Sequence, residues 1–362
     1  MATLCFASSA SAQSDGGSCL TADPPVLDRP AERINFGITP QLAGNVGFTQ
    51  GEAVPPDAQR TREALVRLRP RSRELVLHLN RLFWSDRRAG IRRFAMRADR
   101  YARAGFRTEI QVRYHPDAVQ EGNIRGWARF VRRAVRRLGR QPAVVAFTIT
   151  NEANLPISPN TSDGAYDGVI PALVRGVVAA DRQLRRIGRP GVPVGFSVMW
   201  RWIPADDVEF WEQVGARATP RFRRALDYVG LQVYPGLVWP PLPLPGRSAG
   251  LEVTEALTLV RSCFMPKAGL GRRYELWISE NGYATRPVLE PERGQAEKLR
   301  STVSWLHRYS GTLNVSDYRY FNLRDNRATG TDLFDQVGLL RDDYSPKPSF
   351  TVYHRLIRRF GR

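Results

Sequence analysis

The chain has 362 residues, of which 42% are hydrophobic and 10% aromatic, enough to bury a sizeable core. No run approaches the roughly 18 consecutive apolar residues of a membrane-spanning helix. The net charge of +19 would suit nucleic acid, but only three of the 54 basic residues are lysines, and the arginines are spread over nearly every predicted helix. We therefore expect neither a membrane span nor a nucleic-acid partner.

The first twelve residues contain the small-x-small pattern Ala10-Ser11-Ala12. This pattern predicts the remnant of a secretion signal, and hence a secreted protein, although an ordinary terminus fits too. Residues 13–32 form a lead-in with several prolines, and residues 33–362 form one domain. Removal of the signal would leave Cys19 and Cys263 as the only cysteines, which are either disulfide-bonded or two unrelated buried thiols.

From residue 33 onward, short apolar segments alternate with amphipathic helical patterns. The predicted strands are 33–39, 74–79, 107–114, 143–150, 192–198, 228–234, 275–279 and 318–323. The predicted helices are 57–68, 85–104, 124–138, 167–187, 206–216, 250–263, 291–309 and 349–360. Eight strand-then-helix units predict the α/β fold class and a single (β/α)8 TIM barrel.

The densest cluster of arginines lies in the predicted helix 124–138 and just beyond it. Apolar side chains such as Phe130 and Val131 form one stripe of this helix, and the arginines between Arg129 and Arg140 form the opposite face. The pattern is typical of a solvated helix face. A surface for an acidic polysaccharide or cell-wall polymer is the alternative.

Polar and aromatic residues follow the predicted strands, where the active site of such a barrel lies. This set consists of Asn80, Trp84, His115, Asn151, Glu152, Trp200, Trp202, Tyr234, Glu280, Asn281 and Asn322. Glu152 and Glu280 each follow a buried strand, where a carboxylate is costly unless it is used or paired. Two carboxyl groups at one rim suit the hydrolysis of a glycosidic bond.

The segments Ile149-Thr150-Asn151-Glu152 and Ile278-Ser279-Glu280-Asn281-Gly282 resemble the paired signatures of clan A glycoside hydrolases. Similarity to family 5 or family 39 is not resolved. The resemblance implies retention by double displacement, with Glu152 as acid/base and Glu280 as nucleophile. It further implies that Asn151 binds a sugar hydroxyl, that His115 lies beside the sugar and that Tyr234 donates to Glu280.

The sequence departs from this family at the predicted eighth strand, where many members have a tryptophan that forms the floor of the sugar site. The segment Phe321-Asn322 stands there instead. Aromatic faces stack on sugar rings, so substitutes for this floor are Trp200, Trp202, Trp239 and Tyr283. Trp277 is expected to point outward by strand alternation, and His78 is expected to be a packing or surface residue.

The sequence thus predicts a monomeric retaining glycosidase without metal or cofactor, acting on oligo- or polysaccharides with β-linked glucose-, mannose- or xylose-type units. The four histidines lack metal-ligand spacing, and neither a phosphate loop nor a nucleophile elbow is present. The alternative function is a non-catalytic barrel that binds an acidic glycan or cell-wall polymer.

Overall fold

The computed structural model describes residue 19 and residues 28–31, 33–44, 52–201, 205–237, 246–285, 291–332 and 334–362. Eight parallel strands, β1 to β8, close into a barrel in sequence order, with helices packed around it. The predicted TIM barrel is therefore confirmed. In the described parts of the chain, no helix combines the length and apolar character needed to cross a bilayer.

The strands are β1 (Asn35–Ile38), β2 (Val76–Phe83), β3 (Arg107–Arg113), β4 (Val144–Ile149), β5 (Val194–Met199), β6 (Tyr228–Val233), β7 (Glu275–Asn281) and β8 (Val315–Tyr320). The α-helices are α1 (Ala58–Leu68), α2 (Arg87–Arg103), α3 (Ile124–Leu138), α4 (Val169–Arg186), α5 (Ala205–Arg217), α6 (Pro220–Ala225), α7 (Ala249–Leu259), α8 (Met265–Lys267), α9 (Glu292–Leu313) and α10 (Pro348–Phe360). The sequence did not predict the six-residue helix α6, which follows α5 directly.

The main core lies between the outer face of the barrel and the helices. Helix α3 shows how the sequence determines this packing, because its apolar side chains recur at helical spacing. Trp127, Phe130 and Val131 are buried, whereas Arg129 and Arg136 on the opposite face are exposed. The structure thus gives the arginines of this helix a solvent-facing side, as the pattern indicated.

A separate small cluster lies inside the barrel and contains Ala146, Tyr228 and Trp277. The rings of Tyr228 and Trp277 stack with centroids 3.5 Å apart, and the Arg319 guanidinium lies 5.4 Å from the Trp277 ring. The prediction that Trp277 points outward is wrong. A bulge at Ser279 in β7, between the pairs Leu231–Ile278 and Gln232–Glu280, breaks the alternation on which it relied.

Strand β8 begins and ends three residues earlier than predicted. Its sequence, VSDYRY, contains charged residues of the kind that loops usually carry. These side chains nevertheless lie inside the barrel. Arg319 bonds Asp317 at 2.6 Å and Glu109 at 2.9 Å, and all three are buried. The bonds to Arg319 offset part of the cost of burying the two carboxylates inside the barrel.

Cys19 and Cys263 form a disulfide, so the pairing that the sequence left open is present. Cys263 is buried in the π-helical segment Val260–Phe264 that follows α7. The bond therefore links the N-terminal lead-in to the outer layer of the barrel. A disulfide over so long a separation in sequence restricts the unfolded chain and typically stabilises a fold by about 2–4 kcal/mol.

Candidate active site

A cavity of about 50 Å³ lies at the C-terminal ends of the strands. Its lining consists of Gly44, Asn80, Arg81, Arg113, Asn151, Glu152, Asn160, Thr161, Tyr234, Glu280, Phe321 and Phe334. Five of the residues singled out in the sequence therefore meet here, namely Asn80, Asn151, Glu152, Tyr234 and Glu280. They come from strands far apart in sequence and share the cavity because every parallel strand of a barrel ends at the same rim.

Glu280 lies near the end of β7 and is only 5% exposed. Its two carboxylate oxygens receive different donors. Asn80 Nδ2 donates to Oε1 at 3.0 Å, and Tyr234 Oη donates to Oε2 at 2.7 Å. Burial and the neighbouring Glu280 raise the pKa of Tyr234 well above its usual value, so the phenol keeps its proton. These bonds fix the orientation of the carboxylate and stabilise negative charge on it.

The third neighbour of Glu280 is His78, which the sequence had suggested to be a packing or surface residue. The imidazole is fully buried, with Nε2 3.5 Å from Glu280 Oε1 and Nδ1 3.3 Å from Glu109 Oε1. Burial lowers the pKa of His78, but the two carboxylates outweigh this effect and raise it to about 9. His78 is therefore a cation at neutral pH, and it connects Glu280 to the charged pair Glu109–Arg319 inside the barrel.

We expect His78→Gln to lower the free energy of unfolding by about 3 kcal/mol at pH 6, because the replacement removes the buried cation that lies between Glu280 and Glu109. The folded-state pKa lies above the unfolded value of 6.5, so the stabilisation is complete below about pH 6.5 and is lost as pH rises through about 9. The difference from the wild type should therefore narrow between pH 6.5 and 9.5 in urea titrations.

The same replacement at His354, a half-buried residue of α10, serves as the control, because no carboxylate contact of His354 occurs among the described residues. A difference between wild type and His78→Gln that stays constant from pH 6 to about 9.5 would contradict the assignment of His78 as a buried cation.

The chain turns sharply where β4 ends, and this turn presents Glu152 to the cavity. Thr150 and Glu152 have left-handed backbones, with φ of 68° and 44°, which non-glycine residues seldom adopt. Asp163 supports the turn, because its carboxylate accepts from Asn151 N at 2.9 Å and from Arg113 Nε at 2.7 Å. Such strain is often found at functional sites. The sequence contained no signal for Asp163, which begins a short 3₁₀ helix twelve positions beyond Asn151.

Glu152 is 8% exposed and faces the same cavity as Glu280. Burial is the main cause that raises the pKa of Glu152, to about 8, and the charge of Glu280 adds to it, whereas Arg113 acts in the opposite direction. Glu152 therefore carries a proton at neutral pH. The site combines a protonated carboxyl group with a second carboxylate that is supplied with donors.

Asn151 is held in place by its neighbours. Its Oδ1 accepts from Gln111 Nε2 at 3.0 Å and from Gln232 Nε2, and its Nδ2 donates to Thr161 O at 2.7 Å. One amide hydrogen remains for a ligand in the cavity, since an amide nitrogen carries two. The sequence-based role of Asn151 as a sugar ligand stays a prediction.

Three other predicted residues lie in the core and not along the cavity. Trp84 stacks on Tyr114 at 5.6 Å and contacts Trp127, because its side chain leaves β2 toward the helices. Trp200 is 4% exposed within the main core. The proposed platform Tyr283 is fully buried and bonds Thr302, so it supports α9 instead.

His115, Asn281 and Asn322 also lie outside the cavity lining. His115 packs on Phe83 with ring centroids 4.6 Å apart, and Arg113, two residues earlier, lines the cavity in its place. Asn281 and Asn322 are fully buried and donate to the carbonyls of Val233 and Gln41, which ties the strand ends together. Trp202 and Trp239 lie outside the described residues.

Phe321 and Phe334 provide an aromatic wall, which the sequence pattern did not predict. Their ring centroids lie 5.9 Å apart, and that of Phe334 lies 5.3 Å from Tyr234. Phe321 stands directly after β8, where the sequence lacks the tryptophan of many clan A members. Phe321 could have been predicted from its position at a strand end. Phe334 could not, because it comes from the long loop that follows. The cavity therefore has an aromatic face despite the missing tryptophan.

Among the described residues, no group of three or more histidine, cysteine, aspartate or glutamate side chains is arranged to hold a metal ion. The polar groups that line the cavity are carboxyl groups, a phenol, amides, a hydroxyl and guanidinium groups.

The molecule is a closed (β/α)8 barrel in which two buried glutamates line one cavity. No family model matches the sequence, and no curated protein is similar to it in sequence. Solved structures do share the fold. A family 1 β-glucosidase from Thermotoga maritima superposes with a TM-score of 0.61 at 13% identity, over 93% of this chain and 100% of that chain.

Two further structures belong to other glycoside hydrolase families. GH5_18 from Streptomyces cattleya in complex with GlcNAc gives a TM-score of 0.59 at 15% identity, covering 91% of this chain and 81% of that one. A family 39 glycoside hydrolase from Bacteroides cellulosilyticus WH2 gives 0.59 at 13% identity, covering 90% of this chain and 64% of that one. All three structures therefore share the (β/α)8 barrel fold with this chain.

Proposed function

We propose that the chain is a retaining glycosidase that cleaves β-linked glycans, with Glu280 as nucleophile and Glu152 as acid/base. The observation that carries the proposal is the contrast between the two glutamates of one cavity. Glu280 is held by Asn80 and Tyr234, whereas burial keeps a proton on Glu152. The barrel shared with three glycoside hydrolase families supports the same reading.

In the proposed reaction, Glu152 donates its proton to the leaving oxygen while a Glu280 oxygen attacks the anomeric carbon. Tyr234 donates to Oε2, and Asn80 donates to Oε1, which also lies close to His78. These contacts orient the carboxylate for attack. Glu152, now ionised, then removes a proton from water, which releases the sugar from Glu280 with its original configuration. Phe321 and Phe334 give the reacting sugar an apolar wall.

The expected result is that the first sugar released from a β-glycan has the β configuration, because two displacements at the anomeric carbon restore it. Proton NMR in the first minutes, before mutarotation, measures this on oligosaccharides of glucose, mannose and xylose. An initial α product would overturn the retaining mechanism.

A non-catalytic barrel that binds acidic glycans is the competing function. It predicts no hydrolysis of any glycan in the panel, together with undiminished binding by the Glu152→Gln/Glu280→Gln double variant. Hydrolysis that this double variant abolishes favours the glycosidase.

We further propose that the protein is exported. The disulfide between Cys19 and Cys263 supports this proposal, since such bonds persist in oxidising compartments. The oligosaccharide substrate would then be met outside the cell, where the monomeric form expected from the sequence would act on it.

A further inference from the structure

A second and larger cavity opens beside the paired glutamates. Its volume is about 750 Å³, within the range typical of ligand-binding clefts, compared with about 50 Å³ for the cavity at the glutamates. Its walls come from the segment after β1, the start of α1, the end of β2 and one face of α2. Arg81, at the end of β2, lines both cavities and therefore marks where they meet. We call the larger cavity the arginine cleft.

The charge of the arginine cleft is strongly unbalanced. Its lining contains five arginines, Arg62, Arg81, Arg93, Arg97 and Arg100. The only carboxylate of the lining is Asp86, whose Oδ2 lies 2.8 Å from Arg93 Nη2. Among the described residues, neither Arg81 nor Arg97 has a carboxylate within ion-pair distance, and Arg97 rests on the ring of Phe94. In the described part of the chain, Arg93 is paired, and the other four guanidinium groups of the lining have no carboxylate within ion-pair distance.

Arg81 and Arg97 are also partly buried, unlike the arginines on the outer face of α3. Burial lowers the pKa of Arg81, and the neighbouring charges of Arg113 and Arg97 lower it further, opposed by Glu280. Burial likewise lowers the pKa of Arg97, although Tyr101 opposes this, and Arg100 and Arg93 add to the lowering. Unneutralised cations that crowd one another in a sheltered cleft cost stability, and a bound anion would relieve that cost.

The cleft also has the apolar surface that sugar rings need. Phe83 and Tyr101, which are partly exposed, line it between the arginines, whereas Phe94 is buried beneath Arg97. Guanidinium groups bind carboxylate and sulfate oxygens through paired hydrogen bonds. A sugar that carries an oxyanion, and that is linked to the sugar at the catalytic glutamates, would match both the arginines and the aromatic side chains.

We propose that the arginine cleft binds an oxyanion carried by the glycan next to the scissile bond, so that the substrate is an acidic glycan. This inference rests on the proposed glycosidase function and names its substrate class. Arg81 and Arg97 would bind the anion, and the aromatic side chains would hold the sugar that carries it. A uronic acid and a sulfated sugar both supply the required oxyanion.

The test compares matched ligands on a protein that cannot turn them over. Calorimetry with the Glu152→Gln/Glu280→Gln variant measures β-1,4-linked trisaccharides of glucose and of mannose, each in neutral, C6-oxidised and 6-O-sulfated form. We expect at least one acidic form to bind about 10-fold or more tightly than its neutral counterpart, and the gain to fall as salt rises. The two acidic forms distinguish a carboxylate from a sulfate ligand.

Arg97→Gln, added to the same background, should remove most of the difference in affinity between the acidic and the neutral trisaccharide, which we call the acidic gain. Arg97→Lys should retain part of this gain. Arg129→Gln/Arg136→Gln, which removes two exposed charges from α3, is the control and should leave the acidic gain unchanged. Equal binding of acidic and neutral trisaccharides overturns the proposal. So does a result in which the control variant reduces the acidic gain as much as Arg97→Gln does.

Failure here is separable from failure of the proposed function. Hydrolysis of neutral glycans without an acidic gain overturns only the acidic substrate class. An Arg97-dependent acidic gain, in a parent protein that hydrolyses none of the six trisaccharides, supports the cleft and counts against the glycosidase.

Discussion

Replacing Glu280 with alanine is expected to lower kcat by roughly 10⁴-fold or more, even on an aryl β-glycoside with a good leaving group. The variant lacks the group that attacks the anomeric carbon, and the quality of the leaving group cannot replace it. Glu280 is also the point at which the contacts from Asn80, Tyr234 and His78 converge. Initial rates over a wide substrate range measure the loss.

Azide should restore part of the activity, because it fits the space left by the missing carboxylate and attacks the same face of the sugar. A single displacement then gives an α-glycosyl azide from a β-glycoside, which NMR identifies. Glu121→Ala removes an exposed carboxylate from the loop after β3 and should leave activity unchanged. Full activity of a folded Glu280→Ala protein would contradict the assignment of the nucleophile.

The fold was predictable because buried parallel strands are short runs dominated by apolar residues, and such runs alternate with helical patterns along most of the chain. Helix 124–138 was predicted with the same bounds as α3. The position of Glu152 and Glu280 followed from counting the strands, since residues after strands of one barrel meet at one rim. Neither conclusion required knowledge of any individual side-chain contact.

The errors arose where polar residues lie inside the barrel or where the alternation breaks. Asp317 and Arg319 made β8 resemble a loop, because a pattern based on apolar residues cannot recognise charges that neutralise one another. The extra residue Ser279 reversed the expected direction of Trp277. A bulge of one residue has no reliable sequence signal, so side-chain direction beyond it was not predictable.

The aromatic residues of the site were the least predictable part. Trp84 and Phe321 both lie close to strand ends, yet Trp84 packs into the core and Phe321 lines the cavity. Arg113 and Asp163 meet only through the folded turn after β4, so their roles depend on contacts distant in sequence. Composition and spacing indicate that aromatic residues are available, but the direction of each ring depends on neighbours that only the structure shows.

The second large effect concerns Glu152, whose raised pKa of about 8 makes a specific prediction about pH. The acid must be protonated to assist departure of the leaving group, so kcat/KM should fall above about pH 8 and approach a tenfold loss per pH unit. Glu152→Ala should lower kcat/KM by about 10²–10⁴-fold on oligosaccharides and abolish this alkaline decline. On dinitrophenyl glycosides the kcat/KM of Glu152→Ala should fall far less, because their leaving group needs no proton. An alkaline decline that persists in Glu152→Ala would show that another group is the acid.

The same variant separates the two glutamates by stereochemistry. In Glu152→Ala the nucleophile remains, so the glycosyl–Glu280 intermediate forms from a dinitrophenyl glycoside and accumulates, because no base activates water to release the sugar. Azide needs no base and enters from the side that Glu152 occupied, so it should raise kcat and give the β-glycosyl azide. Glu280→Ala, in contrast, should give the α-glycosyl azide from the same substrate. Opposite anomers from the two variants require one carboxyl group on each face of the sugar, whereas the same anomer from both would contradict the assigned roles.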